Sequence, residues 1–157
     1  MPYQIDQSGK IEQTNKNTIL CLSNQRWDAI LIKAKTKRQL QEIFRRSGQP
    51  RNFIIFTFCA GLALLLKRNK QVKSTTIDRE YWGKEPVIKN ILEEMLTNTN
   101  TQTIPFVNFS LIGKRSPAHL LAKKVARGKQ KAGAVLSMKK IIQIIKNTEV
   151  GKRLKNA

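Results

Sequence analysis

The sequence predicts an α/β domain in which a mixed five-stranded sheet with flanking helices follows the order βββ-α-β-α-β-α. Three short extended segments separated by turns open the chain, and apolar helical patterns then alternate with further extended segments. The 157 residues match one ordinary domain, and 40% of them are apolar, enough for a packed core. We assign residues 1–135 to this domain and residues 136–157 to a basic C-terminal helix that is part of it or appended to it.

The predicted meander occupies the first part of the chain. Tyr3–Asp6 is a short first strand, and Gly9 in the turn that follows can adopt a positive φ. Thr18–Ser23 and Trp27–Ala34 are apolar extended segments joined by a tight connection, which indicates a hairpin. Trp27 is interpreted as a core residue.

Two helices are predicted after the meander. The first begins at Thr36, an N-cap candidate with Gln39 at capping-box spacing, and ends near Gly48. The uncharged run Phe53–Leu66 is too long for one strand, yet shorter than the roughly 20 residues of a membrane-spanning helix. It therefore predicts a buried helix, and no membrane partner is expected.

Strands and helices alternate in the remaining chain. Val72–Tyr81 is predicted as the fourth strand, and Pro86 suits the start of the next helix. Ile104–Ile112 is predicted as the fifth strand. Ser116 and Ser137 are the predicted N-caps of the last two helices.

The net charge restricts the partners of this chain. It is +20, from 30 Lys and Arg against 10 Asp and Glu, and favours a polyanion: phosphate backbones first, anionic lipid second. Cys21 and Cys59 lie in apolar runs without zinc or disulfide spacing, which fits a reducing compartment. The N-terminal residues lack a signal-peptide pattern, so a cytoplasmic protein is expected.

Most of the ten carboxylates fall where solvent exposure explains them, and three do not. Asp6 is on the first strand, and Asp78 and Glu80 are two residues apart on the fourth, hence on one face. A charge on a central strand is costly to bury unless it is paired or metal-bound. If strands one and four are neighbours, the three acids converge on a site for Mg²⁺ or Mn²⁺, because such ions take oxygen ligands. Alternatively, the pair on strand four binds a nearby cation such as Arg79 or Lys84.

His119 lies in the first turn of the helix that Ser116 begins, between its apolar and basic arcs. It can ligate metal, orient water or transfer a proton, or it is simply a surface residue of the cap. Tyr81 and Trp82 directly follow the acidic pair and are candidates for base stacking. The predicted phosphate-contact residues carry no base-specific code. They are Lys10, Lys84, Lys114, Arg115, Lys123, Lys124 and Arg127.

The element order and the placement of the acids resemble the ribonuclease H-like superfamily, which includes RuvC-type Holliday-junction resolvases. The matching segments are YQIDQSG around Asp6, TTIDREY around Asp78 and Glu80, and GKRSPAHLLA around His119. The resemblance extends from about Tyr3 to Arg127. It implies a metal-dependent nuclease acting on DNA or RNA, with the three acids and the histidine as its catalytic set. For a branched substrate it also implies a homodimer.

Two features depart from that family. Ribonuclease H proper has a Glu on the first helix, but the candidate here, Glu42, points away from the apolar stripe. RuvC-type enzymes usually carry Asp residues on the last helix, and this chain has none there. An Asp-Asp-His set is similar to that of Argonaute-type members. Two other functions therefore stay open: a non-catalytic nucleic-acid-binding protein on the same fold, and a structural or membrane-surface protein that uses Phe53–Leu66.

Overall fold

The computed structural model describes residues 3–97 and 104–155, and within them one sheet is flanked by helices on both faces. The strands are β1 (Tyr3–Ser8), β2 (Thr18–Ser23), β3 (Trp27–Ile32), β4 (Ser74–Asp78), β5 (Phe106–Ser110) and β6 (Ala134–Val135). The α-helices are α1 (Ala34–Arg46), α2 (Phe53–Arg68), α3 (Glu85–Thr97), α4 (Pro117–Ala126) and α5 (Met138–Ile145). The predicted α/β class with a mixed sheet is confirmed.

The sheet has the strand order β5-β4-β1-β2-β3-β6. The predicted meander is present, because β2 pairs antiparallel with both β1 and β3. The pairs β1–β4, β4–β5 and β3–β6 are parallel. The predicted count of five strands is wrong by one, since β6 is a two-residue strand that forms only by pairing with Ile30 and Leu31 of β3. So short a segment has no periodicity of its own.

Most helices lie on one face of the sheet. The main core joins α1, α2, α3 and α5 to the side chains of that face, including Ile5 and Ile77. Ile141 and Leu154 belong to the same core, so α5 and the residues after it pack against the rest of the chain. A smaller core on the opposite face joins α4 to residues of β2 and β3.

The apolar helix α2 lies at the centre of the main core. Pro50–Arg68, a short 3₁₀ turn followed by α2, is long and apolar enough to cross a membrane by length and composition. However, 61% of that window is buried inside the fold. Gly61 contributes to this packing, because a Cβ at that position would stand 2.7 Å from the Leu20 side chain of β2. The predicted buried helix is confirmed.

Two local predictions are wrong. Helix α1 begins at Ala34 rather than Thr36, because the Ala34 N–H is satisfied by the Asn17 side chain (2.9 Å), a tertiary contact that replaces the predicted capping box. Trp27 is 48% exposed and is not a core residue. It lies at the start of β3, whereas the small core under α4 contains Ala29, two residues further along the same face.

Candidate metal centre

The three predicted acids come together where β1 and β4 run side by side. Asp6 lies within β1, and Asp78 is the last residue of the parallel neighbour β4, one position beyond the Ile5–Ile77 pair. One carboxylate oxygen from each of Asp6, Asp78 and Glu80 lies within 4.8 Å of the others. The predicted adjacency of the first and fourth strands is therefore confirmed, and it brings the acids together.

Glu80 reaches this cluster by a different route from the one the sequence suggested. The fourth strand ends at Asp78 instead of Tyr81, so Glu80 is not a strand residue. A tight turn, in which the Glu80 N–H donates to the Asp78 carbonyl at 3.0 Å, folds the chain back toward the acids. The strand ends here because β5 ends alongside it, at Ser110.

Backbone N–H groups fix one oxygen of each aspartate. The Gln7 N–H donates to Asp6 Oδ1 at 2.8 Å, and the Ile112 N–H donates to Asp78 Oδ1 at 2.7 Å. A carboxylate oxygen can accept more than one bond, and in the described part of the chain no backbone N–H donates to the Asp78 Oδ2 atom. The scaffold therefore holds both side chains rigidly while leaving oxygen lone pairs for a ligand.

His119 contacts the cluster through Asp6. Its Nδ1 lies 2.7 Å from Asp6 Oδ2, and with an ionised carboxylate this nitrogen is the donor. The ring is positioned by the predicted cap, in which the Ser116 hydroxyl accepts from the His119 N–H at 3.1 Å. The Nε2 atom is buried and has no hydrogen-bond partner among residues 3–97 and 104–155. His119 thus orients Asp6, but it is not one of the three residues whose oxygens converge.

The electrostatics of the cluster show an excess of negative charge. Burial, a hydrogen bond shared with Asp78 and the charges of Asp78 and Asp6 raise the pKa of Glu80 to about 7, while Lys10 opposes this. Burial also raises the pKa of Asp6; the bonds from Gln7 and His119 oppose this rise, and the charge of Asp78 adds to it. Carboxylates placed this close resist ionising together, and Glu80 is the one that holds its proton more tightly.

The local cation does not neutralise this cluster. Arg79 stands between the two acids in sequence, but its Nε forms an ion pair with Glu85 Oε1 at 3.3 Å and its guanidinium lies 4.8 Å from the Trp82 ring centre. Lys84 is exposed. Within the described residues neither Arg79 nor Lys84 forms an ion pair with Asp78 or Glu80, so the simple alternative for the acidic pair is not what the structure shows.

A fourth acid, Asp28, is also buried, which the sequence interpretation missed. Its carboxylate accepts from Arg68 (2.9 and 3.2 Å) and from Asn69 (2.8 Å). Burial would raise the pKa of Asp28, but these donors hold it below the usual value. Asp28 is therefore a neutralised structural acid. The contrast makes the cluster at β1 and β4 more informative, because within residues 3–97 and 104–155 no Lys or Arg forms an ion pair with it. Nothing in the local pattern distinguishes the two cases.

Two further residues shape the site, and their roles were not predicted. The fully buried Lys37 donates to the carbonyls of Lys10 (3.0 Å) and Gln13 (2.7 Å) and to Thr18 Oγ1 (3.0 Å), and burial lowers its pKa to about 8. Lys37 thereby pins the loop after β1, which carries Lys10 beside the acids. A charged side chain on a polar stretch gives no signal for such burial.

Tyr81 is also a structural residue. Its hydroxyl accepts from the Ile11 N–H (3.3 Å) and donates to Glu12 Oε1 (3.3 Å), and its ring packs edge-on against Phe58. It therefore ties the segment after β4 to the loop after β1. Trp82, by contrast, is 62% exposed and is free to contact a ligand.

Other predicted residues have clear positions. Glu42 is exposed and pairs with Arg45 and Arg46 of its own helix, so it is no part of the site. All seven cations assigned to phosphate contact are exposed. Lys10, Lys84, Lys114 and Arg115 are in loops, and Lys123, Lys124 and Arg127 are in or next to α4. Their binding role stays a prediction.

Comparison of the chain with protein-family models, curated proteins and solved structures gave no match.

Proposed function

We propose that this chain is a metal-dependent nuclease of the ribonuclease H-like type, hydrolysing phosphodiester bonds in DNA or RNA. The observation that carries the proposal is the convergence of three acids: Asp6 and Asp78 on two adjacent parallel strands, and Glu80 in the turn after the second of them. It is joined by the meander that precedes them and by the net charge of +20, which suits a polyanionic substrate.

The residues present fit a hard divalent cation. The cluster offers oxygen ligands from three carboxylates that are not neutralised by the neighbouring Arg79, and the pKa of one of them, Glu80, is raised to about 7. Bound there, Mg²⁺ or Mn²⁺ would supply Lewis-acid chemistry to a phosphodiester and its attacking water. Asp6 and Asp78 would hold the ion, and Glu80 would contribute once it has lost its proton.

The remaining residues position the acids and the substrate. His119 fixes the rotamer of Asp6 through its Nδ1 hydrogen bond. Lys10 lies close enough to Glu80 to influence its charge, so it can contact a phosphate next to the acids. Lys114 and Arg115 precede α4 and extend the positive surface.

The stability of the metal-free protein is expected to fall as the pH rises from about 5.5 to 8. The pKa of Glu80 is raised to about 7, so the folded chain holds a proton that the unfolded chain has already lost above about 4.5. The stabilisation is complete at low pH and is lost as the pH rises through about 7. Because a divalent ion replaces that proton, the Mg²⁺-induced rise in Tm should be larger at pH 8 than at pH 5.5.

Thermal unfolding followed by circular dichroism, in MgCl₂ or EDTA at the two pH values, measures this difference. Glu80→Gln is the control, because it removes the titrating group and should flatten the pH dependence. An identical Mg²⁺ effect at both pH values would contradict the assignment of Glu80 as a ligand.

His119→Ala is expected to reduce cleavage by about 10- to 100-fold, the usual cost of losing a group that orients a metal ligand. His119→Asn should retain much more activity, because the Asn amide can donate to Asp6 from the position of Nδ1. Cleavage rates and Mg²⁺ affinities of both variants are to be measured beside Leu120→Ala, an exposed neighbour. Equal loss in the Ala and Asn variants would instead indicate direct metal binding or proton transfer by the imidazole.

A non-catalytic nucleic-acid-binding protein is the second candidate, and the exposed cations support it independently of the acids. It predicts salt-sensitive binding to nucleic acid and no cleavage with either metal. A panel of single-stranded, duplex, hybrid and branched substrates in Mg²⁺ and Mn²⁺ separates the two candidates.

A further inference from the structure

Half of one sheet face is not covered by a helix among residues 3–97 and 104–155. Helices α1, α2, α3 and α5 pack on the opposite face, and α4 packs on β1, β2 and part of β3. The strand register places the side chains on the uncovered part of β4 and β5. They are Ser74, Thr76, Asp78, Phe106, Asn108 and Ser110.

Phe106 is the most unusual member of this face. It is 70% exposed, and it stands on the edge strand with the exposed polar residues Asn108 and Ser110 at alternate positions. An aromatic ring open to solvent among hydroxyl and amide side chains suits a ligand that is flat in one part and polar in the rest. A nucleotide strand has this chemistry.

The face is continuous with the acid cluster. Asp78 is aligned with Ser110, and Phe106 is aligned with Ser74 at the other end of the two strands. Four strand residues at about 3.3 Å each separate Phe106 from the level of Asp78 by about 13 Å. That distance is the span of a few nucleotides, so one strand can reach both.

Positive charge stands at both ends of the face. Lys73 precedes β4, and its carbonyl accepts from the Phe106 N–H at 2.9 Å. Lys114 and Arg115 follow β5 at the other end, and all three cations are exposed. Asp78 is the only acid in the sequences of β4 and β5, so the face between them does not repel phosphates.

We propose that the uncovered face of β4 and β5 binds an unpaired strand of nucleic acid, with one base stacked on Phe106. This inference rests on the proposed function and makes it more specific: the preferred substrate has a single-stranded segment beside the scissile phosphate. A second copy of the chain, docking at the same edge, is the competing occupant. The face favours the strand, because it is largely polar and leads directly to the acids.

Binding in EDTA tests this without requiring catalysis. Fluorescence anisotropy is measured with a blunt duplex and with the same duplex carrying a five-nucleotide overhang, in both polarities. Phe106→Ala should weaken binding of one overhang polarity by about tenfold, the usual effect of one lost base stack, and change the blunt duplex less than twofold. Phe106→Trp should keep the wild-type preference. Val135→Ala, at the exposed edge strand on the opposite side of the sheet, is the matched control.

A second variant keeps the test independent of the aromatic ring. Asn108→Asp adds a negative charge to the middle of the face and should weaken overhang binding while leaving the duplex unchanged. Equal affinities of wild type and both variants for the overhang would overturn the inference. So would a wild-type dimer that Phe106→Ala converts to a monomer in sedimentation without loss of overhang affinity, because that face would then join two copies.

The outcomes for the two proposals differ. A wild-type protein that never cleaves in Mg²⁺ or Mn²⁺, but whose overhang binding depends on Phe106, would refute the nuclease and support the strand-binding face. Metal-dependent cleavage without any dependence on Phe106 or Asn108 would retain the nuclease and refute the face.

Discussion

Replacing Asp78 by Asn is expected to reduce metal-dependent cleavage by at least about a hundredfold, since even the loss of an outer metal-site partner costs up to that much. The substitution preserves shape: the Asn oxygen can still accept from the Ile112 N–H, which holds Asp78 Oδ1 at 2.7 Å. Only the ligand charge is lost. Nucleic-acid affinity in EDTA should stay within a few-fold of wild type, because the binding surface consists of cations elsewhere.

Asp6→Asn should behave in the same way, although it also weakens the bond to His119. Glu93→Gln is a suitable control, because Glu93 is an exposed acid of α3 away from the cluster. Initial cleavage rates in Mg²⁺ and Mn²⁺ and the Tm of each variant are the measurements. Full-rate cleavage by both aspartate variants would refute the metal centre.

Lys37→Met is expected to lower the free energy of unfolding by about 1.5 kcal/mol. Methionine keeps the apolar stem packed, but the carbonyls of Lys10 and Gln13 lose their donor. Because these carbonyls are only partly buried, we expect a smaller loss of stability than for two fully buried carbonyls. Urea unfolding at pH 7 measures it, and Lys35→Met, an exposed position on the same helix, is the control.

Because Lys37 also fixes the loop that carries Lys10, the variant should bind substrate less tightly near the acids. A loss of stability no larger than that of Lys35→Met would show that the loop is held by other contacts. Tyr81 is the obvious second anchor, since its hydroxyl accepts from the Ile11 N–H of the same loop.

The parts of the fold that the sequence predicted are those with a repeated local signal. The uninterrupted apolar run of α2 and the serine caps of α4 and α5 depend on residues close together in the chain, and the structure contains them. The acid cluster could be predicted as well, because it required a single long-range assumption, the adjacency of β1 and β4.

The missed features depend on tertiary partners that leave no mark on the local pattern. The strand β6 exists only by pairing with β3, and Asp28 is buried only because Arg68 and Asn69 return to it from the end of α2. Glu80 belongs to the cluster because of a turn beyond the strand. For β6 and Asp28 the contact that decides the structure is made with residues distant in sequence, which hydrophobic periodicity does not sample.

The helix that carries His119 rests on the smaller of the two cores. Ala122 and Val125 of α4 join Ile19, Cys21 and Ala29 in it, whereas the two aspartates of the cluster stand on strands backed by the main core. The free energy of packing α4 onto the sheet is therefore local, and it is small compared with the free energy that stabilises the sheet itself. Fluctuations that move α4 away from the sheet would break the Asp6–His119 hydrogen bond but leave the three carboxylates in place. The acids that would bind the ligand and the histidine that orients Asp6 are therefore stabilised by different parts of the fold.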